Sequence, residues 1–67
     1  MSFKERLKEM RIDAGMSQTD LAIMVGVTPR TIQNYEYGKR RPANVEIAAR
    51  LAEALGVSVG QLLGIGA

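Results

Sequence analysis

The chain has 67 residues, enough for one small domain, with no cysteine and no histidine. That excludes disulfide staples, thiolate metal sites and the commonest general base and metal ligand. Hydrophobic residues make up 46%, with one Phe, two Tyr and no Trp, so the core must be aliphatic and stability modest.

Residues 2–14 are expected to be helical. Ser2 with Glu5 three residues on is a capping-box pattern, and Phe3, Leu7 and Met10 form a buried stripe that Ala14 extends. Gly15 ends this helix. Ser17 then caps the next, with Asp20 in its first turn complementing the helix dipole. Leu21, Ala22 and Val25 share one face, and Gly26 supplies the left-handed residue that closes the helix. Thr28 offers an N-cap oxygen and Pro29 sits at the first position of a further helix. The stretch 18–37, QTDLAIMVGVTPRTIQNYEY, therefore has the punctuation of a helix-turn-helix, at about 17–37.

The faces of the second helix in this pair differ in chemistry. With Ile32 at 0° and steps of about 100° per residue, Thr28 and Tyr35 fall within about 60° and make the buried stripe. Arg30, Gln33, Asn34 and Tyr37 fall on the opposite side, with no acid among them. Arginine suits the guanine O6/N7 edge in the major groove, and asparagine or glutamine suits adenine N6/N7. Such residues are also ordinary on a solvated helix. What favours recognition is the turn in front of the helix and the basic run behind it.

That run is Lys39, Arg40 and Arg41, between Gly38 and the helix-blocking Pro42. Charge is lopsided along the chain. Residues 1–41 carry eight Lys/Arg against five Asp/Glu, whereas residues 42–67 carry one against two. Phosphate contact is the favoured role for all three cations. Farther on, Asn44 caps a helix through Leu55, with Ile47, Ala48, Leu51, Ala52 and Leu55 on one face. Gly56 ends it, Val57 belongs to the core, and Ser58 caps a last short helix. On that helix and its tail, Val59, Leu62, Leu63 and Ile65 either close the core or meet a second copy.

The pattern S-Q-T-D-L-A-x-x-V-G-V-T-x-x-T-I-x-x-Y-E-x-G-K-R-x-P at residues 17–42 resembles the DNA-binding domain of lambdoid phage repressors, Cro proteins and many small bacterial regulators. Gln18, Leu21, Ala22, Gly26, Ile32, Glu36 and Gly38 match at fixed spacing, and the resemblance runs from Leu7 to Leu63. It implies an all-α, compact five-helix bundle forming one domain over 1–67. It also implies that Gln18 hydrogen-bonds a DNA phosphate and that Arg11 and Glu36 form an internal ion pair. Glu36 falls only about 40° from Ile32, where an acid needs a partner. Thr28, Thr31 and Tyr37 complete the expected phosphate set. Pro29 departs from the pattern, standing where many members place a hydrogen-bonding residue, and is expected to pack on a thymine methyl.

The function implied is a sequence-specific duplex-DNA-binding transcriptional regulator, acting as a repressor. It would bind a near-palindromic operator as a homodimer formed free or only on DNA. The expected dimer contact is Val59, Leu62, Leu63 and Ile65. A bacterial or phage-encoded chain in the cytoplasm is implied, since no apolar run approaches the ~20 residues of a membrane span and the N-terminus is too charged for a secretory signal. An antitoxin or other protein-interaction module on the same fold is the alternative. Exposure of Leu62, Leu63 and Ile65 would favour it. No cofactor, metal or catalytic activity is expected, because the chain has no His, no Cys, no glycine-rich phosphate loop and no carboxylate cluster.

Overall fold

The computed structural model describes residues 2–65, and among these there are five helices and no strand. They are α1 (Phe3–Asp13), α2 (Gln18–Val25), α3 (Pro29–Glu36), α4 (Val45–Leu55) and α5 (Val59–Leu63). Each begins where a side chain can satisfy the free amides of a first turn. Ser17 Oγ accepts from the Asp20 amide at 3.0 Å, Asn44 Oδ1 from Ile47 at 2.9 Å and Ser58 Oγ from Gln61 at 3.0 Å. At Ser2 the cap is reciprocal, with Glu5 turned back to accept from both the Ser2 amide and its hydroxyl.

Helix α2 packs between α3 and α4, while α1 lies against α3 and α5. The fully buried centre is Leu7, Leu21, Val25, Ile32, Leu51 and Leu62, aliphatic throughout, with one residue or more from each helix. Phe3 meets Tyr35 edge-on at 6.1 Å between ring centroids, which ties the start of α1 to the last turn of α3.

Three sequence expectations change. Ala14 is exposed: it caps α1 after the last helical residue and so does not extend the Phe3–Leu7 stripe. Val57 is only partly buried, packed against the edge of the core. Leu62, by contrast, has no exposed surface at all and is a core residue of this chain. It is thereby removed from the set available to a second copy.

Candidate nucleic-acid interface

The turn between α2 and α3 is set by one backbone inversion. Gly26 has φ +86°, and its amide and that of Val27 both return to the Ala22 carbonyl, at 2.8 and 3.0 Å. The chain leaves in the extended conformation at Thr28, whose hydroxyl oxygen accepts from the Thr31 amide at 3.2 Å. Pro29 then occupies the first helical position, where its missing N–H leaves no bond unmade.

Ile32 and Tyr35 anchor α3 in the core, at 0% and 3% exposure. Burial raises the Tyr35 phenol above its ordinary pKa, opposed by the charge of Arg40. Pro29, Arg30 and Tyr37 are exposed, and Gln33 and Asn34 half-buried, so the polar face of α3 reaches solvent. Thr28 corrects the helical-wheel placement: it is exposed, because as an extended N-cap residue it lies outside the helical repeat. Its hydroxyl lies 3.0 Å from that of the half-buried Thr31, so the two side chains pair with each other across the first turn.

Behind this face lies a charged hydrogen-bond network. Arg11 reaches Glu36 through two bonds, Nε to Oε2 at 2.6 Å and Nη2 to Oε1 at 3.1 Å, with the carboxylate side chain only 3% exposed. Its remaining arm, Nη1, donates to the Met16 carbonyl at 2.8 Å. The hydrogen bond that Arg11 donates to Glu36 raises the Arg11 pKa, so the guanidinium stays charged at any working pH. Gln18 joins the network, its Nε2 donating to Glu36 Oε1 at 3.2 Å. No local sequence signal marks that bond, which joins residues 18 positions apart. It fixes the side-chain amide at the start of α2 against the last turn of α3 and leaves Oε1 and one N–H for a further partner.

The loop after α3 is held by its backbone, not by its charges. Gly38 has φ +78°, and the amides of Lys39 and Arg40 return to the Asn34 carbonyl at 2.9 and 3.3 Å. Lys39 approaches the Tyr37 ring at 5.9 Å, and Arg41 lies 5.3 Å from the Phe3 centroid. Arg30, Lys39, Arg40 and Arg41 have no carboxylate within ion-pair distance among the described residues, where the salt bridges are Arg11–Glu36 and Arg50–Glu46. Lys4, absent from the expected set, also arrives here: its stem crosses Gly38 so closely that a Cβ there would lie 2.9 Å from Lys4 Cδ. No local sequence signal links residues 34 positions apart; only the packing of α1 on α3 brings them together.

Residues 7–62 match the Helix-turn-helix family model. The chain belongs to that family. It is 39% identical over 61 residues to the SPbeta prophage-derived uncharacterized HTH-type transcriptional regulator YonR of Bacillus subtilis (strain 168), covering 91% of this chain and 56% of that protein. The solution structure of the DNA-binding domain of the P22 C2 repressor superposes with a TM-score of 0.86 at 29% identity, over 96% of this chain and 84% of that one. The chain is also similar to part of an enzyme. (S)-2-hydroxypropylphosphonic acid epoxidase of Streptomyces wedmorensis is 35% identical over 60 residues, covering 90% of this chain and 30% of the enzyme. Its structure gives a TM-score of 0.84. The chain spans between 15% and 56% of the length of five curated relatives it matches.

Proposed function

We propose that this chain is a duplex-DNA-binding transcriptional regulator whose α3 enters the major groove. The observation that carries the reading is the pairing of an acid-free Arg30, Gln33 and Asn34 face with an adjoining loop of three cations that form no ion pair among the described residues. Arg30, Gln33 and Asn34 contact base edges, and Pro29 lies against a thymine methyl. Lys39, Arg40 and Arg41, with Gln18, Thr28, Thr31 and Tyr37, contact phosphates and set the register of the helix. Similarity to a named HTH-type regulator and to a repressor's DNA-binding domain supports this, with repression by occupancy of a promoter as the simplest mode.

The likeness to the epoxidase concerns one part of that enzyme. The present chain has no His or Cys, and its described residues hold no group of three His, Cys, Asp or Glu able to bind a metal. No described helix is long and apolar enough to cross a membrane, and the bacterial or phage cytoplasm is the proposed setting.

One recognition helix covers too few base pairs to single out a genomic site, and two copies on a two-fold axis solve this. The proposed contact keeps Val59, Leu63 and Ile65. Leu63 and Val59 border a groove with Pro42, Val45 and Ala48, of which Val45 is 79% exposed, and Ile65, two residues after Leu63, is 63% exposed. The operator is then near-palindromic, with half-site centres about 34–36 Å apart. Footprinting tests this. Two protected segments one helical turn apart, both weakened in Leu63→Lys, are expected; one asymmetric segment unaffected by Leu63→Lys contradicts it.

A further inference from the structure

We propose that Lys4, with Arg40 and Arg41, forms a cationic cradle for a duplex backbone phosphate beside the groove that α3 enters. This makes Lys4 a DNA contact in its own right. It rests on the duplex-binding reading above.

The three side chains line one surface depression together with Ser2, Phe3 and Gly38. Each is placed there by a separate feature. Lys4 is carried across the loop because Gly38 has no side chain: Cδ and Nζ would lie 2.9 and 3.7 Å from a Cβ at that position. Arg41 is held over the Phe3 ring at 5.3 Å. Arg40 is fixed at its amide, bonded to the Asn34 carbonyl of α3. The neighbouring acid on α1, Glu5, is engaged in its cap on Ser2, where one carboxylate oxygen accepts from both amide and hydroxyl, and it forms no ion pair with Lys4, Arg40 or Arg41 among the described residues. Three like charges gathered with no ion-paired acid among the described residues repel one another, and an anion between them relieves that repulsion.

A backbone phosphate is favoured over a free anion by position. The loop is hydrogen-bonded to the last turn of α3, so anything in the cradle lies next to whatever α3 contacts. A helix in the major groove is flanked by phosphate chains about 12 Å apart, which places one beside the end of that helix. A free anion or a lipid headgroup would have no reason to sit next to a base-reading face.

The test compares Lys4→Gln, Lys4→Arg and Lys39→Gln with the native chain, measuring affinity for one duplex over a range of salt. Removing one phosphate contact flattens the slope of log K against log salt by about 0.9. Lys4→Gln should therefore lose about 3.5-fold less affinity than the native chain between about 50 and 200 mM salt. Lys4→Arg should keep the native slope, and ethylation interference should lose in Lys4→Gln one phosphate signal that Lys39→Gln retains. Lys4 is exposed, so unchanged thermal melting of all variants is expected. A native slope in Lys4→Gln, with a reduced one in Lys39→Gln, would overturn the cradle and leave duplex binding standing. Duplex affinity independent of salt in every variant would overturn both.

Discussion

Glu36→Ala removes the acceptor for two side chains at once, Arg11 and Gln18. Breaking one side of a buried ion pair costs about 3–5 kcal/mol because the surviving charge is left without compensation. The side chain of Glu36 is 3% exposed and that of Arg11 12%, so Arg11 recovers a little solvent and the lower end, about 3 kcal/mol, applies. Native stabilities run at about 0.05–0.15 kcal/mol per residue, which puts a chain of this length at about 3–10 kcal/mol. The single variant therefore gives up about a third of the fold's stability or more. Domains of this size lose about 4–8 °C per kcal/mol, so a drop of at least about 12 °C is expected in a thermal melt. Urea melts should show a matching fall in midpoint with an unchanged slope. Replacing both partners, Arg11→Met with Glu36→Leu, should recover much of the loss, since no charge is then stranded. A Glu36→Ala melt superimposable on that of the native chain would refute the assignment of a buried, structural pair.

Leu62→Ala should cost about 2–5 kcal/mol in a urea melt, as expected for a fully buried leucine. Leu63→Ala, half-buried at the surface, should cost less in the same assay. Acid should unfold the chain partly through its caps. Hydrogen bonds from Ser17 and Ser2 hold Asp20 and Glu5 below their ordinary pKa values of 3.8 and 4.5. Their contribution is present above those values and lost as pH falls through the depressed folded ones, so Asp20→Asn with Glu5→Gln should flatten the acid limb of stability against pH. Gly38→Ala should destabilise the chain, because φ there is +78° and the new Cβ meets the Lys4 stem; an unchanged thermal midpoint would contradict that contact.

The helix-turn-helix was legible in the sequence because its signals are local. Gly26, Thr28 and Pro29 each dictate a backbone conformation within a residue or two of themselves, and the structure places them as that chemistry requires. Helical-wheel reasoning worked for Ile32, Tyr35 and Arg30, which lie inside α3. It failed for Thr28 and Ala14, which stand at helix ends where the 100° step no longer applies. The five residues of α5 are too few to display a stripe, so the sequence left Leu62 divided between core and interface. Only tertiary packing shows it buried. The same limit hid the Gln18–Glu36 bond and the crossing of Lys4 over Gly38, which join residues distant in the chain.

The central claim is that the polar face of α3 reads base edges, and selection of bound sequences from random duplex DNA tests it most directly. The native chain should enrich a near-palindromic motif. Arg30→Ala should relax preference at one position in each half and cost about 1–3 kcal/mol against the selected site. Lys39→Gln should keep the motif while weakening all duplexes alike. No enriched motif from the native chain, or a motif from Arg30→Ala identical to the native one, would contradict the account.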